Sequence, residues 1–137
     1  MCGVHEWALA EAVIDAVIDV AAKKNASKIT EIEIVIGELQ TIDIENFKYA
    51  LDVLREGTPA EGAKVRFITE KPRLRCNICG YEWTIGSISS LLGEREAEAV
   101  HFIPELIQVF VSCPKCGGGD IEIVAGRGVY VRSIRVE

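Results

Sequence analysis

The sequence has no stretch approaching the roughly 18 consecutive apolar residues that a membrane-spanning helix requires, so no membrane role is expected. It also lacks an excess of positive charge. Lys and Arg number 15 against 21 Asp and Glu, a formal net charge of −6. That balance disfavours a nucleic-acid backbone as partner and suits metal cations or a basic patch on another protein. Aromatic residues make up only 7%, too few to line a base-stacking surface richly. A basic leader followed by an apolar run and a small-residue cleavage site is missing, which makes a cytoplasmic location the expectation. Neither a glycine-rich phosphate loop nor a serine nucleophile on a strained turn is found, and no spacing pairs the carboxylates, so the protein is not expected to be an enzyme.

Cysteine is present in a telling pattern. Four of the five cysteines form two Cys-x-x-Cys pairs, Cys76 with Cys79 and Cys113 with Cys116, and Cys2 stands apart. An odd count argues for metal ligation over a disulfide framework. Two residues between paired cysteines let one tight turn present both sulfurs to a single ion, and Gly80 and Gly117 follow the second cysteine of each pair, where the turn must close. These four cysteines are read as a structural Zn²⁺ site, since a closed set of four ligands leaves no position for water or substrate. The 33 residues between the pairs, 80–112, exceed a minimal ribbon and are expected to hold strands on either side of a loop rich in Glu94, Glu96 and Glu98. The acidic run itself reads as a solvated face.

Upstream of the cysteines the patterning is that of an α/β domain, supported by an apolar content of 49%. From His5 to about Lys24, Leu9, Ala12, Val13, Ala16, Val17 and Val20 recur at helical spacing with Glu11, Asp15, Asp19 and Lys23 opposite, and Asn25 is suited to the left-handed residue that ends the helix. Lys28 to Ile36 alternates, placing Ile32, Ile34 and Ile36 on one face and Glu31, Glu33 and Val35 on the other. A second helix follows, capped by Asp43, stapled by Ile42 on Phe47 and ended at Gly57. Ala63 to Glu70 reads as a second strand and Val129 to Val136 as a third. Two strands make a marginal sheet, so the third is expected to return to the first domain. The expected fold class is therefore α+β: a small domain of two helices and a three-stranded mixed sheet, residues 1–70 and 126–137, with a zinc-ribbon-like domain, residues 71–125, inserted before its last strand.

His5 and Glu6 form a second constellation. Near a chain terminus an amine, backbone amide nitrogens and an imidazole can together make a nitrogen-rich plane suited to Ni²⁺ or Cu²⁺, and the imidazole must be neutral to bind. Here the residues carry a family resemblance. The run His5-Glu6-Trp7-Ala8-Leu9-Ala10, Ile36-Gly37-Glu38-Leu39, the two cysteine pairs, His101-Phe102-Ile103-Pro104-Glu105 and Gly126-Arg127-Gly128-Val129-Tyr130-Val131 together resemble the HypA family of nickel metallochaperones, in its archaeal form. The resemblance implies a nickel-binding α/β domain with an inserted zinc domain, Ni²⁺ as transferred cargo, a role in [NiFe]-hydrogenase maturation, and the HypB GTPase and the hydrogenase large subunit as partners. The family's nickel site, a Met-His-Glu terminus, maps onto His5 and Glu6, and His101 is a further candidate ligand.

In this chain Met1-Cys2-Gly3-Val4 precedes His5, so three residues separate the methionine from the histidine. Three consequences are open: a distorted site, nickel held by the His5 imidazole with nearby amides, or, once Met1 is removed, a chelate made by the amine and thiolate of Cys2. The alternative function is a zinc-ribbon module that binds nucleic acid or regulates, with Arg73, Arg75, Arg127, Arg132 and Arg135 as its basic face.

Overall fold

The computed structural model describes residues 2–39, 42–86 and 92–137, with the side chains of residues 2–4, 101, 102 and 104 outside that description. In chain order the elements are α1 (Cys2–Lys23), β1 (Ile29–Gly37), α2 (Ile44–Arg55), β2 (Lys64–Glu70), β3 (Arg73–Cys76), β4 (Glu82–Thr84), α3 (Glu94–Phe102), a 3₁₀ turn (Pro104–Leu106), α4 (Ile107–Phe110), β5 (Ile121–Ala125) and β6 (Val129–Val136). They gather into two compact units. One holds Met1–Val35, Ile42–Ile68 and Val129–Glu137, the other Ile36–Thr41 and Thr69–Gly128.

In the first unit α1 buries Ala10, Val13, Ile14, Val17 and Ala21, one stripe of its helical repeat. Asn25 ends it at φ 55°, the Ala26 amide reaching back to the Ala21 carbonyl at 2.9 Å and the Asn25 amide to Ala22 at 3.1 Å, which satisfies carbonyls that a helix end leaves open. Asp43 caps α2 through Oδ1, which accepts from the Asn46 amide at 3.2 Å, and Phe47, Ala50 and Leu51 turn inward. Phe47 meets Phe67 of β2 edge to face, ring centroids 6.0 Å apart. β1 lies between β2 and β6. Its ends fix the directions of its neighbours. Ile29 donates to Pro59 and Glu38 to Glu70, so β2 runs parallel to it, whereas Ser27 donates to Glu137 and Gly37 to Gly128, so β6 runs antiparallel. The sheet is mixed, as expected. One departure concerns Val35, which the alternation puts on the solvent face: it is 2% exposed, so this central strand is covered on both sides towards its end.

The second unit has its own sheet, order β4-β3-β5, antiparallel throughout, with Leu74 opposite Trp83 on one side and Ile123 on the other. Its core gathers Leu39, Leu74, Ile85, Ala97, Val100, Ile107 and Ile121 around Cys76 and Cys113. The expected loop at Glu94, Glu96 and Glu98 is helix α3. Ala97 and Val100, three apart, are buried on its inner side while the three glutamates face solvent, and acidic groups in a first turn favour a helix N-terminus.

The unit boundaries also differ from the expected 70/71 and 125/126. Ile36 to Leu39 group with the second unit because Leu39 is part of its core and donates to the Gly126 carbonyl at 2.9 Å. Gly37 makes this pairing possible. A Cβ there would lie inside contact distance of the Gly126 carbonyl and 2.6 Å from the Arg127 amide nitrogen, both rigid backbone. Gly37→Ala is therefore expected to destabilise the protein by about 3 kcal/mol, as forced overpacking does, and urea denaturation of the variant measures it.

Candidate metal centres

Each cysteine pair is a tight turn built on the same hydrogen bonds. In the first, the Cys76 amide donates to the Tyr81 carbonyl and the Gly80 amide to the Cys76 carbonyl, both at 2.8 Å. In the second, Cys113 donates to Gly118 and Gly117 to Cys113, both at 2.9 Å. Gly80 and Gly117 take φ of 79° and 76°, the left-handed region in which a side chain is strained. The two turns are tied together by the Asn77 amide, which donates to the Asp120 carbonyl at 2.8 Å.

These turns bring the four sulfurs within 4.8 Å of one another, the one group among the described residues in which three or more His, Cys, Asp or Glu side chains can share an ion. Cys76 and Cys116 stand 3.6 Å apart, sulfur to sulfur, as do Cys79 and Cys113. A tetrahedron with zinc–sulfur bonds of about 2.3 Å sets sulfurs about 3.8 Å apart, so the quartet fits Zn²⁺ with all four positions filled by protein. Amides converge on the sulfurs as well: Lys115 and Cys116 donate to the Cys113 sulfur and Gly118 to that of Cys116, each at 3.4 Å. Burial by itself would raise the Cys113 thiol, but the Cys116 and Lys115 amides with the neighbouring thiols bring it down to about 6. For Cys116 the Gly118 amide favours the thiolate, yet the Cys76 sulfur, burial and the other two thiols push it up to about 12. One cluster thus holds both a ready thiolate and a retained proton.

The second constellation is divided by α1. The helix begins at Cys2, so His5 ends its first turn and Glu6 lies just past it, without the first-turn position that its place in the sequence suggests. Successive helical residues point about 100° apart. His5 is accordingly exposed and Glu6 is 5% exposed, the one buried charged residue among those described. Glu6 Oε2 accepts from the Asp43 amide at 3.2 Å, at the start of α2, while Oε1 is buried without a partner. Sequence reasoning gave Asp43 only its capping role. Its meeting with Glu6 joins positions 37 apart, for which no local pattern exists. Trp7 packs edge to face on Tyr49, centroids 6.0 Å apart, adding a second tie between the two helices. The side chains of Cys2 and His101 lie outside the described residues; their backbones open α1 and fall within α3.

Comparison with known proteins shows the family. A family profile described as "Hydrogenase/urease nickel incorporation, metallochaperone, hypA" matches residues 4–136. The chain is 46% identical over 133 residues to the hydrogenase maturation factor HypA of Pyrococcus horikoshii and 47% identical to that of Pyrococcus abyssi, covering 97% of this chain and 96% of each relative. Its fold is similar to the solution structure of the Ni metallochaperone HypA from Helicobacter pylori, at a TM-score of 0.64 with 22% identity and 96% of each chain covered. A second structure described as a HypA protein gives a TM-score of 0.69, again at 22% identity, over 97% of this chain and 96% of that one.

Two outcomes test the cysteine site. Cys113→Ser should release zinc and bring amide hydrogen exchange in β3, β4 and β5 to that of an open chain, while α1, β1 and α2 keep their protection. Because the cysteines must give up their protons on ligation, Cys116 among them, zinc affinity of the metal-free protein should rise by at least about tenfold per pH unit from pH 6 to 8, and fall again on acidification, measured by competition with a chromophoric chelator.

Proposed function

The chain belongs to the HypA family of hydrogenase/urease nickel-incorporation metallochaperones, and from that premise we propose that it takes up Ni²⁺ at the start of α1, through His5 and Glu6, and delivers it during [NiFe]-hydrogenase maturation. The observation that carries this reading is the split between the two side chains: an exposed imidazole next to a carboxylate buried against α2. A carrier needs a ligand that a recipient can reach, on a backbone that does not drift. His5 supplies the first. Glu6, held by the Asp43 amide, supplies the second by fixing the turn whose amide nitrogens lie beside the imidazole. The leading amides of a helix have no acceptor within it, so Cys2, Gly3 and Val4 present free nitrogen donors near His5. Cys2 and His101 are the further candidate donors.

In this reading Cys76, Cys79, Cys113 and Cys116 keep a resident Zn²⁺ and take no part in transfer, since a closed tetrahedron offers no exchange position. The protein acts as a carrier in place of a catalyst, in the cytoplasm, exchanging nickel with the HypB GTPase and serving the hydrogenase large subunit. No described helix is long and apolar enough to cross a membrane. The alternative, a nucleic-acid-binding ribbon, needs an unneutralised basic face. Arg73 instead meets Glu82 at 3.4 Å, Arg132 meets Glu33 at 3.2 Å, Arg135 meets Glu31 at 3.9 Å, and Arg75 and Arg127 pair with Glu122 and Glu105.

Titration followed by isothermal calorimetry tests the assignment. His5→Ala is expected to weaken nickel binding at least tenfold, with zinc content and circular dichroism unchanged. Unaltered nickel affinity in that variant would remove His5 from the site, and Cys2→Ser and His101→Ala report on the remaining donors one at a time.

A further inference from the structure

Two cysteine turns that share one ion can meet in two ways. In a tetrahedron the two sulfurs of one pair lie crosswise to the two of the other, and in a square all four are coplanar, so the arrangements differ by a rotation of about 90° of one turn against the other. Zn²⁺ has no d-electron preference and accepts the crossed arrangement, whereas Ni²⁺ favours the flat one. Affinity alone does not separate these ions at a given set of donors; geometry does. A chain that carries nickel and keeps zinc therefore needs something that stops its two turns from rotating.

Contacts between the turns come from the residues that lie between the cysteines. Asn77 meets Asp120, just past the second turn, at two points: its backbone amide donates to the Asp120 carbonyl at 2.8 Å and its Nδ2 to Asp120 Oδ1 at 3.1 Å. A single hydrogen bond is a pivot. Two between the same residues fix their relative orientation. Ile78 lies over Gly118 so closely that a Cβ there would stand 2.5 Å from Ile78 Cδ1. From the other side, the Lys115 ammonium sits 5.9 Å from the centre of the Tyr81 ring. Asn77, Ile78 and Lys115 thus each reach across to the opposite turn.

These contacts contribute little to the core. Asn77, Asp120 and Lys115 are exposed, and Ile78 is 64% exposed. The site itself is open along one edge, since Cys79 and Cys116 are exposed while Cys76 and Cys113 are buried. An ion that arrives from solvent reaches that edge, so exclusion of nickel has to come from the angle between the turns.

We infer that Asn77, paired with Asp120 and backed by Ile78 and Lys115, is a specificity-determining positioning residue of the cysteine site: it holds the two turns crossed, so that the four thiolates keep Zn²⁺ and refuse Ni²⁺. The inference rests on nickel as the family's cargo and is independent of where this chain holds it.

The test uses the full chain with Cys2→Ser, in which Cys76, Cys79, Cys113 and Cys116 are the only thiols. After equilibration with chelator-buffered mixtures of Zn²⁺ and Ni²⁺, zinc retained per chain and the sulfur-to-nickel charge-transfer absorption together give the affinity of the cluster for each ion. Asn77→Ala should lower the zinc-to-nickel affinity ratio about fivefold, and Asn77→Asp, which sets two carboxylates face to face, about tenfold. Adding Asp120→Asn to Asn77→Asp exchanges donor and acceptor, and should return the ratio to within about twofold of the parent. An added charge draws both divalent ions alike and a general loosening weakens both alike, so neither moves the ratio. An unchanged ratio in Asn77→Ala and Asn77→Asp overturns the proposal, as does a ratio that the exchanged pair fails to restore. If Asn77→Asp no longer folds around zinc, Asn77→Ala alone decides. Nickel bound at His5 carries no sulfur signal in this background, so the result stands apart from the assignment at the start of α1.

Discussion

Four sulfurs held within 4.8 Å of one another are the constraint from which the second unit is built. Without a cation, several thiolates at this spacing repel, and without the cluster the unit's apolar core is small. Two of its nine buried members, Cys76 and Cys113, are themselves ligands. A buried aliphatic side chain contributes about 1.5–3 kcal/mol, whereas a structural zinc ion contributes about 10–16 kcal/mol in small metal-dependent folds. One ion therefore matches about five core side chains, and the unit depends on it more than on any layer of its packing. The two turns earn their matching hydrogen-bond pattern from this requirement: each must hold two sulfurs on one side while glycine takes the left-handed corner.

The first unit is held differently. Ile29, Ile32, Ile34, Phe47 and Leu51 are at most 2% exposed, and the aromatic edge-to-face contacts lie between its elements. The ion pairs on its open sheet face involve arginines more than half exposed, where each such pair is worth about 0–1 kcal/mol, so they set charge pattern and contribute little stability. Among the described residues its core is built of side chains alone. A chain that hands on an ion gains from that separation, because loss of the cargo leaves the scaffold unchanged.

Glu6 shows how the scaffold reaches its exposed edge. A buried carboxylate is costly unless it is hydrogen-bonded, and the Asp43 amide at the N-terminus of α2 both donates to it and places it at the positive end of a helix dipole. The same contact fixes the rotation of α1 and so the outward direction of His5. Exposure of one residue is a consequence of burial of the next.

What the sequence determined by itself was everything set by short-range spacing: two Cys-x-x-Cys turns closed by glycine, the apolar stripe of α1 and its end at Asn25, the Asp43 cap, and the return of Val129 to Val136 as a third strand. These depend on residues within a few positions of one another, or on the rule that two strands do not suffice. Tertiary structure decided the rest. Glu94, Glu96 and Glu98 look like a loop until Ala97 and Val100 find a core to bury in, and Ile36 to Leu39 look like the end of a strand within the first domain until Gly37 lets their backbone pair beside Gly126. Glu6 reads only as a candidate nickel ligand until α2 arrives to donate a hydrogen bond to it. In each case the deciding partner lies tens of residues away, and only folding brings it within contact range.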